Sequence, residues 1–393
     1  METSVKTRIY ALDLLRGLVM IIMALDHTRD FFHYDAFVHD PLDVTTTSVA
    51  LYFTRWITHF CAPVFVFLAG TSIYLQSLRK NKDELSAFLF KRGAWLVFVE
   101  FFVISLSWTF DITYPIFVMQ VIWAIGICMV LMGLIVRLPF SAILVLGVII
   151  VFGHNILDSI ESTHDGFIWN LTRNGNFAFY NLGAGHQLVI IYPFVPWLGL
   201  MMLGYCLGKI YRPSFDAVQR KKILLWAGIG SIFFFAILRY SNVYGNPFQW
   251  TIQENPVFTF LSFLNVHKYP PSLLYLCITI GPSLLFLSFF ESSNNTLTRA
   301  ISVYGRVPFF YYVLHFYSIH FLCMILFMTR GHALTEETPP VFGMPFRFVI
   351  AGEGYSLGIV YFIWIGLVLF LYPLCKWFSE YKKRKSYGWL SYL

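Results

Sequence analysis

Runs of about twenty apolar residues recur along the whole chain of 393 residues, and they constrain its fold more than any other feature. A membrane-spanning helix needs roughly 20 such residues, because the hydrocarbon core of a bilayer is about 30 Å thick. The composition agrees, since 58% of the residues are hydrophobic and 12% are charged, a smaller charged share than soluble domains carry. We therefore expect an integral membrane protein and exclude a nucleic-acid-binding module, a disulfide scaffold and a disordered chain.

Ten such runs are separated by charged residues or by Pro and Gly, which predicts an all-α polytopic protein with one bundle of about ten helices over residues 1–393. The connectors 30–54, 157–185 and 241–270 are expected on the extracytoplasmic side. The predicted spans lie near residues 10–29, 55–78, 89–110, 115–136, 140–156, 186–208, 222–240, 271–290, 304–328 and 355–378.

The charge of the loops predicts the orientation, because Lys and Arg accumulate on the cytoplasmic side of membrane proteins. Basic loops alternate with acidic ones, and an even number of spans then places both termini in the cytoplasm. The basic group comprises Lys6, Arg8, Arg79, Lys80, Lys82, Lys91, Arg92, Lys209, Arg212, Arg220, Lys221, Lys222 and residues 382–385. The acidic group comprises Asp30, Asp35, Asp40, Asp43, Asp158, Glu161, Asp165, Glu336 and Glu337.

The first predicted span carries a polar stripe. At 100° per residue, Asp13, Arg16 and His27 lie on one face of the helix. At about 1.5 Å per residue, the stripe from Asp13 to His27 is roughly 21 Å long, most of the thickness of the hydrocarbon core. Ionisable side chains within a membrane cost about 2.5–3.5 kcal/mol each, so they usually face a protein interior or a watery cavity and mark a functional site.

Two interpretations of this stripe stay open. In the first, Asp13 and Arg16 form an i,i+3 pair that supports packing, and His27 caps the helix at the level of the lipid headgroups. In the second, His27 is a general base or an acyl carrier, because imidazole accepts a proton near neutral pH. Asp26 or Asp30 could orient its ring, but Asp26 projects about 100° away from His27, so another helix is expected to supply the orienting group.

Other polar residues near the predicted spans are candidates for the same site. Arg55 and His59 form an i,i+4 pair near the outer end of the second span. Arg55 is expected to hold either a loop carboxylate, such as Asp40 or Asp43, or an anionic group of a substrate. His59 lies deeper and is a candidate second member of the site.

The remaining histidines have weaker signals. His315 and His320 are about 140° apart on one helix and cannot share a face, and a single membrane histidine more often bonds a backbone carbonyl than takes part in chemistry. His186 and His267 lie beside the outer ends of two spans, where they could line a substrate mouth. The sequence contains neither an HExxH nor a CxxC pattern, and we predict no metal site.

Several sequence blocks resemble those of a known family. Residues 12–17 (LDLLRG) and 26–30 (DHTRD) are similar to the opening of the heparan-alpha-glucosaminide N-acetyltransferase catalytic-domain family of bacterial membrane proteins. The same opening resembles the first helix of acyltransferase family 3, whose members O-acylate surface glycans and in which this histidine is essential. Further similar blocks lie at residues 55–70, 192–199, 268–273 and 304–309.

The resemblance implies an enzyme of the bacterial inner membrane that moves an acyl group, here acetyl, from acyl-CoA to a hydroxyl or amine of a glycan or another envelope-associated acceptor. His27 is then the catalytic residue, and His59 is a further candidate. In the lysosomal-type members the catalytic histidine lies in the first non-cytoplasmic loop. Here that loop contains His33 and His39, so either could take the role of His27.

The resemblance also implies acetyl-CoA as the donor, and its phosphates need cations at the cytoplasmic face. The candidates are Arg306, Arg92, Arg79 and Arg299, with Lys80 beside them. Arg306 is favoured because it opens the ninth span from the inner side. Asp13 and Arg16 would organise the first helix or the donor channel.

Another class of protein would also explain the stripe. A proton-coupled secondary transporter could use the intramembrane Asp, Arg and His residues as a proton relay. A transporter moves intact solute without a donor, whereas an acyltransferase releases free CoA thiol. The oligomeric state, with a homodimer as one option, and the identity of the acceptor stay open.

Overall fold

The computed structural model describes residues 9–163, 166–385 and 387–391 of the chain. Lys6, Arg8 and Asp165, which contributed to the predicted loop charges, lie outside these residues. The described part is mostly helical, as the composition predicts. Its α-helices are α1 Tyr10–Phe32, α2 Val49–Trp56, α3 Cys61–Ser77, α4 Lys82–Val99, α5 Ser105–Thr109, α6 Val121–Ile135, α7 Phe140–Gly153, α8 Phe167–Thr172, α9 Phe194–Leu207, α10 Ala217–Ser241, α11 Pro256–Leu264, α12 Leu273–Phe289, α13 Thr296–Arg306, α14 Pro308–Thr329 and α15 Leu357–Arg384.

Shorter helical segments connect several of these helices. A π-helical turn, Glu100–Ile104, joins α4 to α5. The 3-10 segments are Ile57–Phe60, His154–Thr163, Gly208–Tyr211 and Gly388–Ser391.

A small sheet departs from the all-α prediction. Its strands are β1 Ile116–Met119, β2 Ala178–Gly183 and β3 His186–Ile190. The order is β1-β3-β2, with β1 parallel to β3 and β2 antiparallel to it. The strands occupy the beginnings of the predicted spans near 115–136 and 186–208 and the end of the connector 157–185, so those spans contain less helix than expected.

Each predicted span contains a helix, and six helical stretches are long and apolar enough to cross a membrane. The apolar helices α6 and α12 are shorter, with 15 and 17 residues, and α1 and α4 carry several ionisable side chains. Ten membrane crossings and a cytoplasmic position for both termini therefore stay predictions. The six stretches are Val49–Ser77, Phe140–Asp158, Phe194–Tyr211, Ala217–Ser241, Pro308–Thr329 and Leu357–Arg384.

Helix α1 lies at the centre of the bundle and contacts α3, α12, α13, α14 and α15. Its approach to α13 is close because both helices present glycine at the crossing. A Cβ added to Gly17 would lie 2.1 Å from the carbonyl oxygen of Ile301, and one added to Gly305 would lie 1.8 Å from that of Asp13. Small residues let membrane helices approach at backbone distance. The polar stripe of α1 is thereby enclosed by protein.

The predicted span near 304–328 contains a break between two helices. Helix α13 begins with a capping box formed by Asn295 and Thr298 and ends at Arg306. Val307 is not helical, and α14 starts at Pro308, whose missing N–H is tolerated in a first helical turn. The break leaves Arg306 at the end of α13, beside the start of α14.

A buried carboxyl fixes the start of α6. Glu100 lies in the π-helical turn and has no exposed surface. Its Oε2 accepts a hydrogen bond of 2.8 Å from the backbone N–H of Trp123, in the first turn of α6. An acceptor at a helix N-terminus satisfies an otherwise unpaired N–H group and complements the helix dipole. This contact holds Gln120 and Val121 in place next to the cavity described below.

Candidate active site

Three adjoining cavities follow the polar stripe of α1. The outer cavity, named for the predicted orientation, has a volume of about 460 Å³ and is lined by His27, Asp26, Arg55, Lys268 and neighbouring residues. The inner cavity has a volume of about 470 Å³ and is lined by Arg16, Arg92, Arg306, Lys382 and neighbouring residues. The two cavities share the lining residues Met23, Phe65, Val121 and Tyr312.

The third cavity, which we call the mouth, has a volume of about 1520 Å³. It is lined by Asp13, Arg79 and Lys383, and it shares Arg16 and Arg306 with the inner cavity. The three cavities therefore form a series from the N-terminal end of α1 to its C-terminal end.

His27 lies in the outer cavity and pairs with a histidine from another helix. Its Nδ1 is 2.8 Å from Nε2 of His315 in α14. His315 has no exposed surface, and its own Nδ1 lies 3.0 Å from the carbonyl oxygen of Tyr311. His315 is thus a group from another helix that bonds His27, and the sequence alone did not reveal this contact.

Aromatic rings enclose the imidazole of His27. The ring of Phe316 lies 4.0 Å away between centroids, and the rings of Trp108 and Tyr312 lie edge-on at 5.8 and 6.4 Å. Tyr312 is 3% exposed, and its hydroxyl bonds no group in the described part of the chain. Because Tyr312 lines both the outer and the inner cavity, it marks the point where they meet.

The carboxylates near His27 are paired with arginines. Asp26 accepts a hydrogen bond of 3.0 Å from Arg29 through Oδ1 and bonds Arg55 through Oδ2. Asp30 bonds Arg29 at 2.5 Å. Arg55 was expected to hold a loop carboxylate, such as Asp40 or Asp43, or a substrate anion, but its carboxylate partner is Asp26, because α2 lies beside the outer end of α1. The ion pairs join α1 to α2 and leave the imidazole pair without a bonded carboxylate among the described residues.

Of the alternative histidines, His39 is the one that shares the outer cavity with His27. It is exposed and bonds Asp35 at 2.8 Å. His33 is buried, and its Nδ1 accepts a 3.2 Å hydrogen bond from the backbone N–H of Asp35. Burial lowers the pKa of His33 below its ordinary value.

His59 lies in a neighbouring polar cavity of about 350 Å³ that shares Arg55, Asp40 and Lys268 with the outer cavity. His59 is 1% exposed, and neither ring nitrogen has a hydrogen-bond partner in the described structure. His59 is therefore close to the candidate site, in a separate cavity that adjoins the outer cavity at Arg55.

The inner end of the stripe contains the predicted ion pair. Arg16 bonds Asp13 at 3.2 Å, the carbonyl oxygen of Gly305 at 3.2 Å and the hydroxyl of Ser72 at 3.4 Å. Arg16 therefore links α1 to α13 and α3 while it lines both the inner cavity and the mouth. The packing interpretation and a role in a donor channel both agree with this geometry.

The four arginines proposed for CoA line three cavities, and Arg306 lines all three. Arg306 and Arg92 line the inner cavity together, and Arg79 lines the mouth with Arg306. Arg299 instead lines a smaller cavity of about 330 Å³ between α13 and α15, where Arg306 is also present. Lys382 and Lys383, at the end of α15, add charge to the inner cavity and the mouth.

Of the remaining histidines, His320 and His186 are held by backbone carbonyls. The two ring nitrogens of His320 lie 2.8 Å from the carbonyl oxygens of Ser107 and Arg347. Nδ1 of His186 lies 2.9 Å from the carbonyl oxygen of Tyr114. These contacts are structural. Within the described residues, no group of three or more His, Cys, Asp or Glu side chains converges as a metal site would require.

Tyr312 and Lys268 are the main site residues that the sequence did not indicate. Tyr312 lies in an aromatic stretch of α14 that is typical of a helix core, so it carried no separate signal. Lys268 is half-buried and lines both the outer cavity and the neighbouring polar cavity. In the sequence, the available signal for Lys268 was its position in the connector 241–270, at the start of the block 268–273 that resembles the family.

A family model described as "Heparan-alpha-glucosaminide N-acetyltransferase, catalytic" matches residues 8–239. The match covers more than half of the chain and includes His27, Asp13 and Arg16, whereas His315 and Arg306 follow it. Comparison with curated proteins gives no match. The resemblance seen in the sequence blocks is thus confirmed. This membrane protein belongs to the heparan-alpha-glucosaminide N-acetyltransferase catalytic family.

Proposed function

We propose that this protein is a membrane acyltransferase that moves an acetyl group from acetyl-CoA to a hydroxyl or amine of a glycan or another envelope-associated acceptor. The observation that carries the proposal is the series of cavities along α1, which begins at a basic mouth and ends at His27. The family assignment supports a transferase. It gives no support to the alternative of a proton-coupled transporter.

The mouth and the inner cavity fit the shape and charge of the donor. The nucleotide of CoA carries a 3′-phosphate and a pyrophosphate, and Arg79, Arg306 and Lys383 supply positive charge in the mouth. The inner cavity is smaller, and its lining is mostly apolar apart from Arg16, Arg92, Arg306 and Lys382, which suits the slender pantetheine arm. A donor bound in this way would present its thioester near Tyr312, where the inner cavity adjoins the outer one.

The acceptor would occupy the outer cavity beside His27. His27 takes the proton from the acceptor hydroxyl or amine as the acceptor atom bonds to the thioester carbonyl carbon. The carbon–sulfur bond then breaks, and the thiolate takes the proton from His27 to give free CoA thiol. Tyr312, which lines both cavities, would donate a hydrogen bond to the carbonyl oxygen while charge develops there. Because a thioester is already activated, proximity, a base and this contact are the main requirements.

The test is incubation of purified protein with labelled acetyl-CoA and a mixture of envelope glycans, with free thiol and labelled glycan as readouts. We expect His27→Ala to abolish both signals while the protein keeps its unfolding temperature. His186→Ala is a matched control, because His186 lines none of the three cavities and bonds a backbone carbonyl. Thiol release by His27→Ala at the unmodified rate would move the catalytic role to His39, His33 or His59.

We also infer the setting of the reaction from the basic mouth. If the mouth faces the cytoplasm, where CoA is made, the acceptor reaches His27 from the opposite side of a bacterial inner membrane. Both termini are then cytoplasmic, and the bundle of about ten spans separates the two substrates. Solute uptake into vesicles without acetyl-CoA, and without thiol release, would favour the transporter instead.

A further inference from the structure

In the hydrogen bond between His27 and His315, the contact of His315 with a backbone carbonyl decides which of the two rings donates. Nδ1 of His315 lies 3.0 Å from the carbonyl oxygen of Tyr311. A carbonyl oxygen only accepts hydrogen bonds, so this nitrogen carries a hydrogen. A neutral imidazole has one protonated nitrogen, which leaves Nε2 of His315 as an acceptor.

The polarity of this bond decides which nitrogen of His27 is basic. Nε2 of His315 lies 2.8 Å from Nδ1 of His27, so Nδ1 of His27 donates. The ring planes differ by 17°, and the centroids are 5.0 Å apart while the two nitrogens are 2.8 Å apart, so the rings meet edge to edge, nitrogen to nitrogen. This arrangement suits a ring N–H and a ring lone pair, because both lie in the plane of the imidazole. In neutral His27, Nε2 therefore keeps its lone pair.

The neighbouring carboxylates do not supply this orientation. Asp26 bonds Arg29 and Arg55, and Asp30 bonds Arg29. A buried carboxylate beside the imidazole would need its own compensating charge. The neutral ring of His315 orients His27 without placing a charge among Trp108, Phe316 and the other aromatic side chains.

We propose that His315 is a positioning residue that holds His27 in the Nδ1–H tautomer, so that Nε2 of His27 is the base of acyl transfer. This inference rests on the proposed function. In the reaction, the acceptor O–H or N–H bond breaks, and its proton goes to Nε2 of His27. The electron pair of the broken carbon–sulfur bond leaves on sulfur, which then takes that proton. His315 accepts the hydrogen bond from His27 throughout and exchanges no atom.

The first test reads the tautomer directly. Nuclear magnetic resonance of the full-length protein with ¹⁵N-labelled histidine distinguishes a protonated ring nitrogen from one with a lone pair, and His27→Gln assigns the signal. We expect neutral His27 to be protonated on Nδ1 in the unmodified protein. Replacing His315 with leucine removes the acceptor, and His27 should shift to the Nε2–H form that isolated neutral histidine prefers.

The second test measures the reaction of the same variant. His315→Leu should lower the single-turnover rate of acetyl transfer about 10²-fold to 10⁴-fold, the range that general acid–base catalysis typically contributes; a wrong histidine tautomer in a catalytic triad costs about 10⁴-fold. The KM for acetyl-CoA should change by less than about twofold, because the donor site is separate. His315→Gln should keep the Nδ1–H tautomer and recover at least about a tenth of the rate, since its amide oxygen accepts from His27.

His320→Gln is the matched control. His320 is a second fully buried histidine of α14, but its ring nitrogens lie against the carbonyl oxygens of Ser107 and Arg347. This replacement should leave the tautomer of His27 unchanged, even if the protein becomes less stable.

Protonation of neutral His27 on Nε2 in the unmodified protein would overturn the proposal, and so would an unchanged tautomer in His315→Leu. An unmodified protein that releases no CoA thiol would overturn the proposed function, and the positioning role would fall with it. An active unmodified protein whose rate is unaffected by His315→Leu would overturn the role of His315 alone.

Discussion

At the scale of single residues, the ionisable groups of α1 differ in their partners. Asp13 pairs with Arg16, and Asp26 pairs with Arg29, at 3.2 and 3.0 Å. His27 bonds the imidazole of His315 instead. Burying a charge without a partner is costly, and the arginines supply that partner for these carboxylates. His27 is the group of the stripe that can take up a proton without breaking an ion pair.

One pH-sensitive residue lies in the loop that covers the outer cavity. The pKa of His332 is raised above its ordinary value by hydrogen bonding to the carboxylates of Glu353 and Glu336. A raised pKa in the folded protein means that the protonated form stabilises the fold. This contribution is fully present below the unfolded pKa of about 6.5 and is lost as pH rises through the raised value. We expect segment 330–356 to be less protected from amide exchange at about pH 8 than at about pH 6, after correction for intrinsic rates.

Hydrogen–deuterium exchange with mass spectrometry checks this prediction. The same segment contributes Phe342 and Met344 to the lining of the outer cavity, so its mobility bears on entry of the acceptor. Glu353→Gln removes the larger cause of the raised pKa and should reduce the difference between the two pH values. Equal protection at both pH values in the unmodified protein would contradict the expectation.

Helical projection was enough to predict the stripe and the pairing of Asp13 with Arg16, but not the partner of His27. Asp13, Arg16 and His27 share a face because the 3.6-residue period is a local property of the chain. The pairing of His27 with His315 depends on the rotation of α14 against α1, which no local pattern reports. For the same reason, the sequence suggested loop carboxylates for Arg55, whereas the folded chain places Asp26 beside it.

At the scale of helices, the contact between α1 and α13 makes a direct prediction. Gly305→Ala would place a Cβ 1.8 Å from the carbonyl oxygen of Asp13, so the helices must separate. Overpacking of this kind typically costs about 1–3 kcal/mol, and it should lower the unfolding temperature in detergent. Gly366→Ala in α15 is the control, because a Cβ there meets no atom within 4 Å. An unfolding temperature of Gly305→Ala equal to that of the control would show that the contact tolerates separation.

The sequence located the helices better than the strands. Long apolar runs predicted a helix in each of the ten spans, because length distinguishes such runs from strands. The strands β1 and β3 are short apolar segments directly before α6 and α9, and periodicity cannot separate a buried strand from a buried helix at that length. The break at Val307 was also missed, although Pro308 is compatible with the start of a helix.

At the scale of the whole molecule, the order of the cavities could not be predicted from the sequence. The inner cavity is lined by side chains from α1, α3, α4, α6, α14 and α15, with Arg306 at the end of α13. Its shape depends on how far these helices approach one another. The basic loops did predict that the candidate donor residues share one end of the bundle. They did not predict that Arg92 and Arg306 would line one cavity while Arg299 lines another.

This arrangement leads to a prediction for donor binding. Arg306 lines the inner cavity, the mouth and the cavity of Arg299, so its charge is close to each possible path of CoA. Arg306→Gln should raise the Kd of acetyl-CoA by at least about tenfold, since a charge-assisted hydrogen bond contributes about 1.5–3 kcal/mol. Filter binding of labelled acetyl-CoA to purified protein measures the change.

The matched control is Arg137→Gln, because Arg137 is an exposed arginine that pairs with Asp83 at 2.8 Å and lines none of the three cavities. It should keep the unmodified Kd, whereas a general loss of positive charge would weaken both variants alike. If Arg299→Gln weakened binding and Arg92→Gln did not, the nucleotide would bind between α13 and α15. The thioester would then have to reach His27 by a path other than the inner cavity.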